Sequence, residues 1–136
     1  MKILLIYPKN TFNKGEEYFI SFPLGLAYLA AVLEKERHEV LVIDCIIEYP
    51  KPRNLSNGRF YIGLNETETL ERIKQIKPDL IGINCSFSTM FDDVRLLAKM
   101  IKSKLNLPIV IGGAHASALP LEVMEENLFD YIILGE

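Results

Sequence analysis

Asp79–Thr89 reads DLIGINCSFST: an apolar run carrying Leu80, Ile81, Ile83 and Cys85, then three hydroxyl residues around Phe87. A short apolar run of this kind, preceded by Pro78, has the form of a strand buried on both faces. The hydroxyl-rich tetrapeptide marks a strand-to-helix junction. Thr89–Leu105 then places Met90, Val94, Leu97, Ala98, Ile101 and Leu105 on one helical face. A buried strand feeding an amphipathic helix is the repeating unit of α/β folds, so this stretch decides the class.

The same alternation extends in both directions. Upstream, Lys2–Tyr7 (KILLIY) is a first strand closed by Pro8, and Phe22–Glu36 (FPLGLAYLAAVLEKE) is a helix with Leu26, Leu29, Ala30 and Leu33 in register. Pro23 falls in its first turn, where proline is tolerated. His38–Asp44 (HEVLVID) is a second strand, and Asn65–Ile76 a helix that Asn65 and Glu68 open with capping-box spacing. Downstream, Pro108–Ile111 is a fourth strand ending at Gly112-Gly113, Leu121–Glu126 a short helix after Pro120, and Tyr131–Leu134 a fifth strand. Cys45–Leu64, with Pro50, Pro52, Asn54, Ser56, Asn57 and Gly58, reads as one long irregular loop, the kind that is functional or mobile.

Strict alternation implies right-handed crossovers and a doubly wound, five-stranded parallel sheet. The expected strand order is the flavodoxin-like (Rossmann-like) 2-1-3-4-5, with its switch point between the first and third strands. Ligand-facing loops then follow Tyr7, Cys85, Ile111 and Leu134.

The 136 residues fit one domain, and a net charge of −3 without a Lys/Arg stripe gives no footprint for nucleic acid. No apolar run is long enough to span a membrane, and MKILLIYP is too short for a signal peptide. Cys45 and Cys85 form neither a disulfide framework nor a metal motif, so a reduced, cytoplasmic setting is expected. Each reads as a buried strand thiol and not as a nucleophile.

The four loops exclude several chemistries. A phosphorelay receiver needs acidic residues after the first and third strands, where this chain has Pro8-Lys9 and Ser86-Phe87. Thr11 and Gly15 do not make a flavin phosphate loop, and no G-x-G-x-x-G opens the first helix, which leaves Asp44 without a dinucleotide context. What remains is positive. Ser86, Ser88 and Thr89 can cap the following helix, donate to a ligand, or both. Gly112-Gly113 lets backbone approach a bulky ligand or supplies a positive-φ turn. His115 sits in the same loop, where histidines are commonly solvated. Gly135-Glu136 ends the chain on the ligand face with no final helix over the sheet, the expectation for a fragment of a longer protein.

Taken in order, KILLIYP, FPLGLAYLAAVLE, HEVLVID, KPDLIGINCSFST, LPIVIGGAHASALP and DYIILGE resemble the N-terminal cobalamin-binding domain of cobalamin-dependent radical S-adenosylmethionine enzymes. The resemblance covers residues 1–136 except the loop after Asp44. It implies a corrinoid at the carboxyl edge of the sheet. The implied contacts are Tyr7 and Pro8; Ser86, Phe87, Ser88 and Thr89; Gly112, Gly113, Ala114 and His115; and Gly135 and Glu136. It implies no catalytic or metal-ligating residue in this chain. The Asp-x-His-x-x-Gly motif that supplies cobalt with a histidine in the methionine-synthase type is absent, since Pro8–Gly15 contains no His. Arg37 stands at a helix-to-strand turn where relatives commonly carry Gly, and either adopts a left-handed conformation or reshapes the turn. With no Cys-x-x-x-Cys-x-x-Cys, S-adenosylmethionine and a [4Fe-4S] cluster are expected only in a downstream radical domain. That domain would use the corrinoid for methyl transfer or for related radical chemistry such as oxidative cyclisation. The alternative is a ligand-free interaction domain that docks its catalytic domain. A small flavin or nucleotide enzyme has no phosphate loop to support it.

Overall fold

A computed structural model describes residues 1–135. Leu4 and Ile6 of strand β1 (Lys2–Tyr7) point to one side and Ile3 and Leu5 to the other, and all four are buried. Such burial requires a central strand, and β1 pairs in parallel with β3 (Glu39–Asp44) on one side and with β6 (Leu80–Asn84) on the other. The ladder continues through β7 (Ile109–Gly112) to β8 (Tyr131–Ile132). The order β3-β1-β6-β7-β8 is 2-1-3-4-5 when these five parallel strands are counted alone. Strand and helix limits differ from the expected ones by a residue or two. The third crossover helix is the clearest case: a 3₁₀ turn at Ser88–Met90 precedes α4 (Phe91–Lys104).

The two faces of the sheet are covered unequally. Helices α3 (Glu66–Ile76), α4 and α6 (Pro120–Glu125) bury Leu70, Ile73, Val94, Leu97, Ile101 and Val123 against Leu4, Ile6, Ile81, Ile83, Ile109 and Ile111. Among the described residues the other face carries only α1 (Leu24–Lys35), whose Leu26 closes a small cluster with Ile3 and Leu5. Local signals set the helix ends. Asn65 Oδ1 accepts the Glu68 amide at 2.9 Å while Glu68 Oε2 accepts the Asn65 amide at 2.8 Å, the reciprocal capping box. Helix α1 ends in a Schellman turn, with His38 N donating to Leu33 O and Arg37 N to Glu34 O. Arg37 adopts φ 65° there, so it takes the left-handed conformation at a cost of about 1–2 kcal/mol relative to glycine.

The segment expected to be one irregular loop is structured. After the short α2 (Cys45–Glu48), β4 (Arg53–Asn54) and β5 (Phe60–Ile62) join β2 (Asn10–Phe12) in a second, antiparallel sheet of order β2-β5-β4. Phe12, Tyr18 and Phe60 pack on it with ring centroids 5.4–5.8 Å apart. Its strands have three residues or fewer, and β2 pairs with β5 across about fifty positions of sequence, so no local periodicity announces them.

Candidate functional site

The thin cover on the α1 face leaves a groove of about 320 Å³ running to the carboxyl edge, lined among others by Leu5, Leu26, Val110 and Ile133. Five glycines line it: Gly25, Gly82, Gly112, Gly113 and Gly135. Gly25 lies on α1 with nothing within 4 Å of where a Cβ would stand. Gly82, in the middle of β6, keeps the floor low beside Leu5. A Cβ on Gly112 would meet Ile133 at an ordinary 3.8 Å. At the edge the groove meets a recess of about 200 Å³ lined by Tyr7, Pro23, Gly25, Asn84, Ser86 and Phe87. Beyond it lies a third cavity of about 270 Å³ between Tyr7, Phe87, Thr89 and the second sheet.

The structure brings the expected loops together at this edge. Ser86 Oγ accepts a hydrogen bond from Asn84 Nδ2 at 2.6 Å. Neither Ser88 nor Thr89 caps a helix through its side chain, so their hydroxyls are not spent on the backbone. Phe87 is 60% exposed on the rim. Tyr7 lines the cavities and Pro8 is buried beneath the first loop. Gly113, expected as a close-approach residue for a ligand, lines the groove and also passes close to the protein's own backbone. At φ 105° its Cβ would sit 2.6 Å from Cys85 O and 2.9 Å from Asn84 Oδ1. Ala114 is exposed at the start of α5 (Ala114–Ala118). His115, expected on an open loop, is instead the second residue of that helix and only 6% exposed. Its Nδ1 lies 2.9 Å from Ser88 Oγ, its ring packs on Phe91 at 4.4 Å, and Nε2 is buried without a partner among the described residues. Gly135 N donates to Ser117 Oγ at 2.9 Å, and Glu136 lies outside the described residues.

Gly25, Gly82 and Asn84 were not among the expected site residues. The first two carry a legible signal, an isolated glycine inside a helix pattern and another inside a strand pattern, which often marks close packing or a ligand. Asn84 has no such signal; only the strand ending there places it.

The first loop is anchored by charge. Lys9 is buried with its ammonium bonded to Asp93 of α4, 3.1 Å from Glu66 Oε1 and 3.2 Å from Thr11 Oγ1. Burial works against that charge, but the two carboxylates outweigh it and hold the amine above its usual range. Asp44 Oδ1 accepts the Ile46 and Ile47 amides and starts α2; burial raises its carboxyl. Burial also pushes the Cys45 and Cys85 thiols up to about 12, which keeps both protonated near neutral pH. Among the described residues no group of three His, Cys, Asp or Glu could hold a metal ion, and no helix is long and apolar enough to cross a membrane.

Comparison with known proteins agrees with this geometry. Residues 14–136 match the family model described as the B12 binding domain. The chain is 33% identical to cytidylyl-2-hydroxyethylphosphonate methyltransferase of Streptomyces wedmorensis, over 99% of its own length and 26% of the relative's. It is also 33% identical to an uncharacterized methyltransferase of Pyrococcus horikoshii, over 100% of its own length and 27% of the relative's. Identity is 25% to the anaerobic magnesium-protoporphyrin IX monomethyl ester cyclase of Rubrivivax gelatinosus, over 100% and 22%. The chain thus spans about a quarter of the length of these relatives. Among solved structures, a cobalamin-binding protein from Desulfitobacterium hafniense superposes with a TM-score of 0.61 at 16% identity, over 97% of this chain and 52% of that one. NtrX from Brucella abortus follows with a TM-score of 0.53 at 16% identity, over 98% of this chain and 22% of that one. These two likenesses show the shared fold. With the match over residues 14–136, the loops and groove described above are those of a member of the B12 binding domain family.

Proposed function

We propose that this chain holds a corrinoid across the carboxyl edge of its sheet. The nucleotide tail would lie in the groove between α1 and the sheet, and the ring over the loops at Tyr7-Pro8, Ser86–Thr89 and Gly112–His115. The observation that carries the reading is the groove itself. Its volume of about 320 Å³ is in the range of small-molecule sites, its walls are apolar, and Gly25, Gly82 and Gly112 keep it open where side chains would fill it. Such a cradle fits a flat heterocycle.

The chain's own residues would bind and orient. Asn84 fixes the Ser86 hydroxyl at the groove mouth, Phe87 offers an aromatic face on the rim, and Gly112 admits the tail beside Ile133. The first loop offers no histidine to a metal, and Lys9 is bound inward by Asp93, so the group would be held through its periphery. A bound corrinoid supplies a cobalt centre that can carry a methyl group or exchange an electron. The chain would present it to a catalytic domain of the same polypeptide, with S-adenosylmethionine and a [4Fe-4S] cluster in that domain, for methyl transfer or oxidative cyclisation. Leu24, Tyr28 and Val32 on the outer face of α1 and Ile133 and Leu134 beside the groove are exposed, as a surface that docks a partner domain would be.

The test is retention of hydroxocobalamin through desalting, followed by corrin absorbance, for the chain and for Gly25→Leu. Leucine at this position raises helix propensity by about 1 kcal/mol while filling the groove, so the variant stays folded. Retention by the chain and its loss in Gly25→Leu are expected. A chain that retains no corrinoid, yet binds its catalytic domain tightly, would establish the docking reading that the exposed α1 face favours. Unchanged retention by Gly25→Leu would remove the tail from the groove.

A further inference from the structure

We infer that buried His115 is held as the neutral tautomer protonated at Nδ1, and that it thereby turns the Ser88 hydroxyl outward as a hydrogen-bond donor to the bound ligand. The inference rests on the corrinoid reading for the identity of that ligand, and on the geometry of two residues for the rest.

His115 has no freedom to turn. Its backbone amide donates to Cys85 O at 3.1 Å, its ring lies against Phe91 at 4.4 Å, and it is 6% exposed. Nδ1 is 2.9 Å from Ser88 Oγ, and Nε2 is buried with no partner among the described residues. Two neutral tautomers are possible. With the proton on Nε2, an N–H donor is buried unpaired, and Nδ1 takes the Ser88 proton inward. With the proton on Nδ1, that N–H donates to Ser88 Oγ, and only a lone pair is left unpaired at Nε2. Orphaned buried N–H groups are the rarer defect in native proteins. The doubly protonated ring would bury an unpaired donor and a charge as well.

The second tautomer leaves Ser88 with its own O–H unassigned. Ser88 is exposed at the carboxyl edge, and its side chain caps no helix. The hydroxyl is therefore oriented by one accepted bond from within and free to donate outward. The matching group on the ligand is an acceptor oxygen, which a corrinoid carries both on the phosphodiester of its tail and on the amide carbonyls of its ring. His115 is thus a positioning residue and Ser88 the contact.

Two measurements test this. Long-range ¹⁵N–¹H correlation on the ligand-free chain reads the tautomer directly. A proton on Nδ1 is expected; a proton on Nε2 overturns the inference whatever the chain binds. Retention of hydroxocobalamin is then compared for Ser88→Ala, His115→Phe and His115→Asn. Ser88→Ala and His115→Phe should weaken retention by up to about tenfold, the range of one hydrogen bond. His115→Asn, which keeps an N–H near the Nδ1 position, should recover most of it. Unchanged retention in both Ser88→Ala and His115→Phe overturns the inference and leaves the corrinoid reading standing. No retention by the parent chain removes that reading and the ligand contact with it. Cobinamide, which lacks the nucleotide tail, separates the acceptors: a Ser88→Ala effect seen with both corrinoids places the acceptor on the ring, and one seen only with cobalamin places it on the tail.

Discussion

Gly113 crosses Cys85 so closely that a β-carbon on Gly113 would lie 2.6 Å from the Cys85 carbonyl oxygen. This contact ties the end of β7 to the end of β6, where Cys85 N already donates to Gly112 O at 2.8 Å. Gly113→Ala should therefore destabilise the fold by more than the roughly 1–3 kcal/mol of its positive-φ backbone alone, because backbone atoms must also move. Gly112→Ala, whose Cβ meets Ile133 at 3.8 Å, should change stability by less than about 1 kcal/mol. Urea unfolding of the two variants separates them; equal losses would mean that neither contact governs the loop.

Lys9 and Asp93 are joined inside the protein although they lie on the first loop and on α4. Lys9→Met strands Asp93 and Glu66 without their cation and should cost about 3–5 kcal/mol. Lys9→Met/Asp93→Leu removes the pair together and should recover much of that loss. Because the folded state raises the Lys9 amine above its usual 10.5, the pair's contribution is fully present below that pH and is lost as pH rises through the folded value. Chemical denaturation between pH 7 and pH 11 should show a steeper decline in the parent than in the double variant, since the buried thiols of Cys45 and Cys85 add the same decline to both.

How much of this was legible in the sequence depends on the range over which each signal acts. KILLIY, DLIGINC and the Asn65–Glu68 box carry their information within a few residues, and the five parallel strands, their order and the capped α3 follow from them. The loops after Tyr7, Cys85 and Ile111 do meet at one edge, because topology alone puts them there. Individual roles were less legible. His115 looks like a solvated loop residue until Phe91 and Ser88 are seen to close over it, and Gly25 lines the groove with no signal beyond an isolated glycine in a helix pattern. The second sheet joins Asn10–Phe12 to Phe60–Ile62 through strands too short to show a period.

The thiols give a direct test of the strand ends. Cys45 and Cys85 are both free and buried, with burial raising each to about 12. At pH 8 the native chain should show no fast reaction with a disulfide reagent such as DTNB, and both thiols should react once denaturant is added. A fast native thiol at Cys85 would mean that the carboxyl edge of β6 is more open than this packing.

Asp130 sets the start of the last strand. Its Oδ2 accepts from Lys102 Nζ at 2.5 Å and from the Ile109 amide at 2.7 Å, which holds its carboxyl below the usual range. A depressed folded pKa contributes stability that is present above the ordinary carboxyl value of 3.8 and lost as pH falls through the folded one. Asp130→Asn keeps the size of the side chain and removes the charge, so it should cost about 1 kcal/mol at pH 7, the scale of a partly exposed pair. The difference from the parent should shrink as pH falls below the carboxyl range, where both side chains are neutral. Thermal melts at pH 7 and pH 3 test this. A difference that persists undiminished at pH 3 would assign the loss to the Asn side chain's geometry at the Ile109 amide and not to the charge.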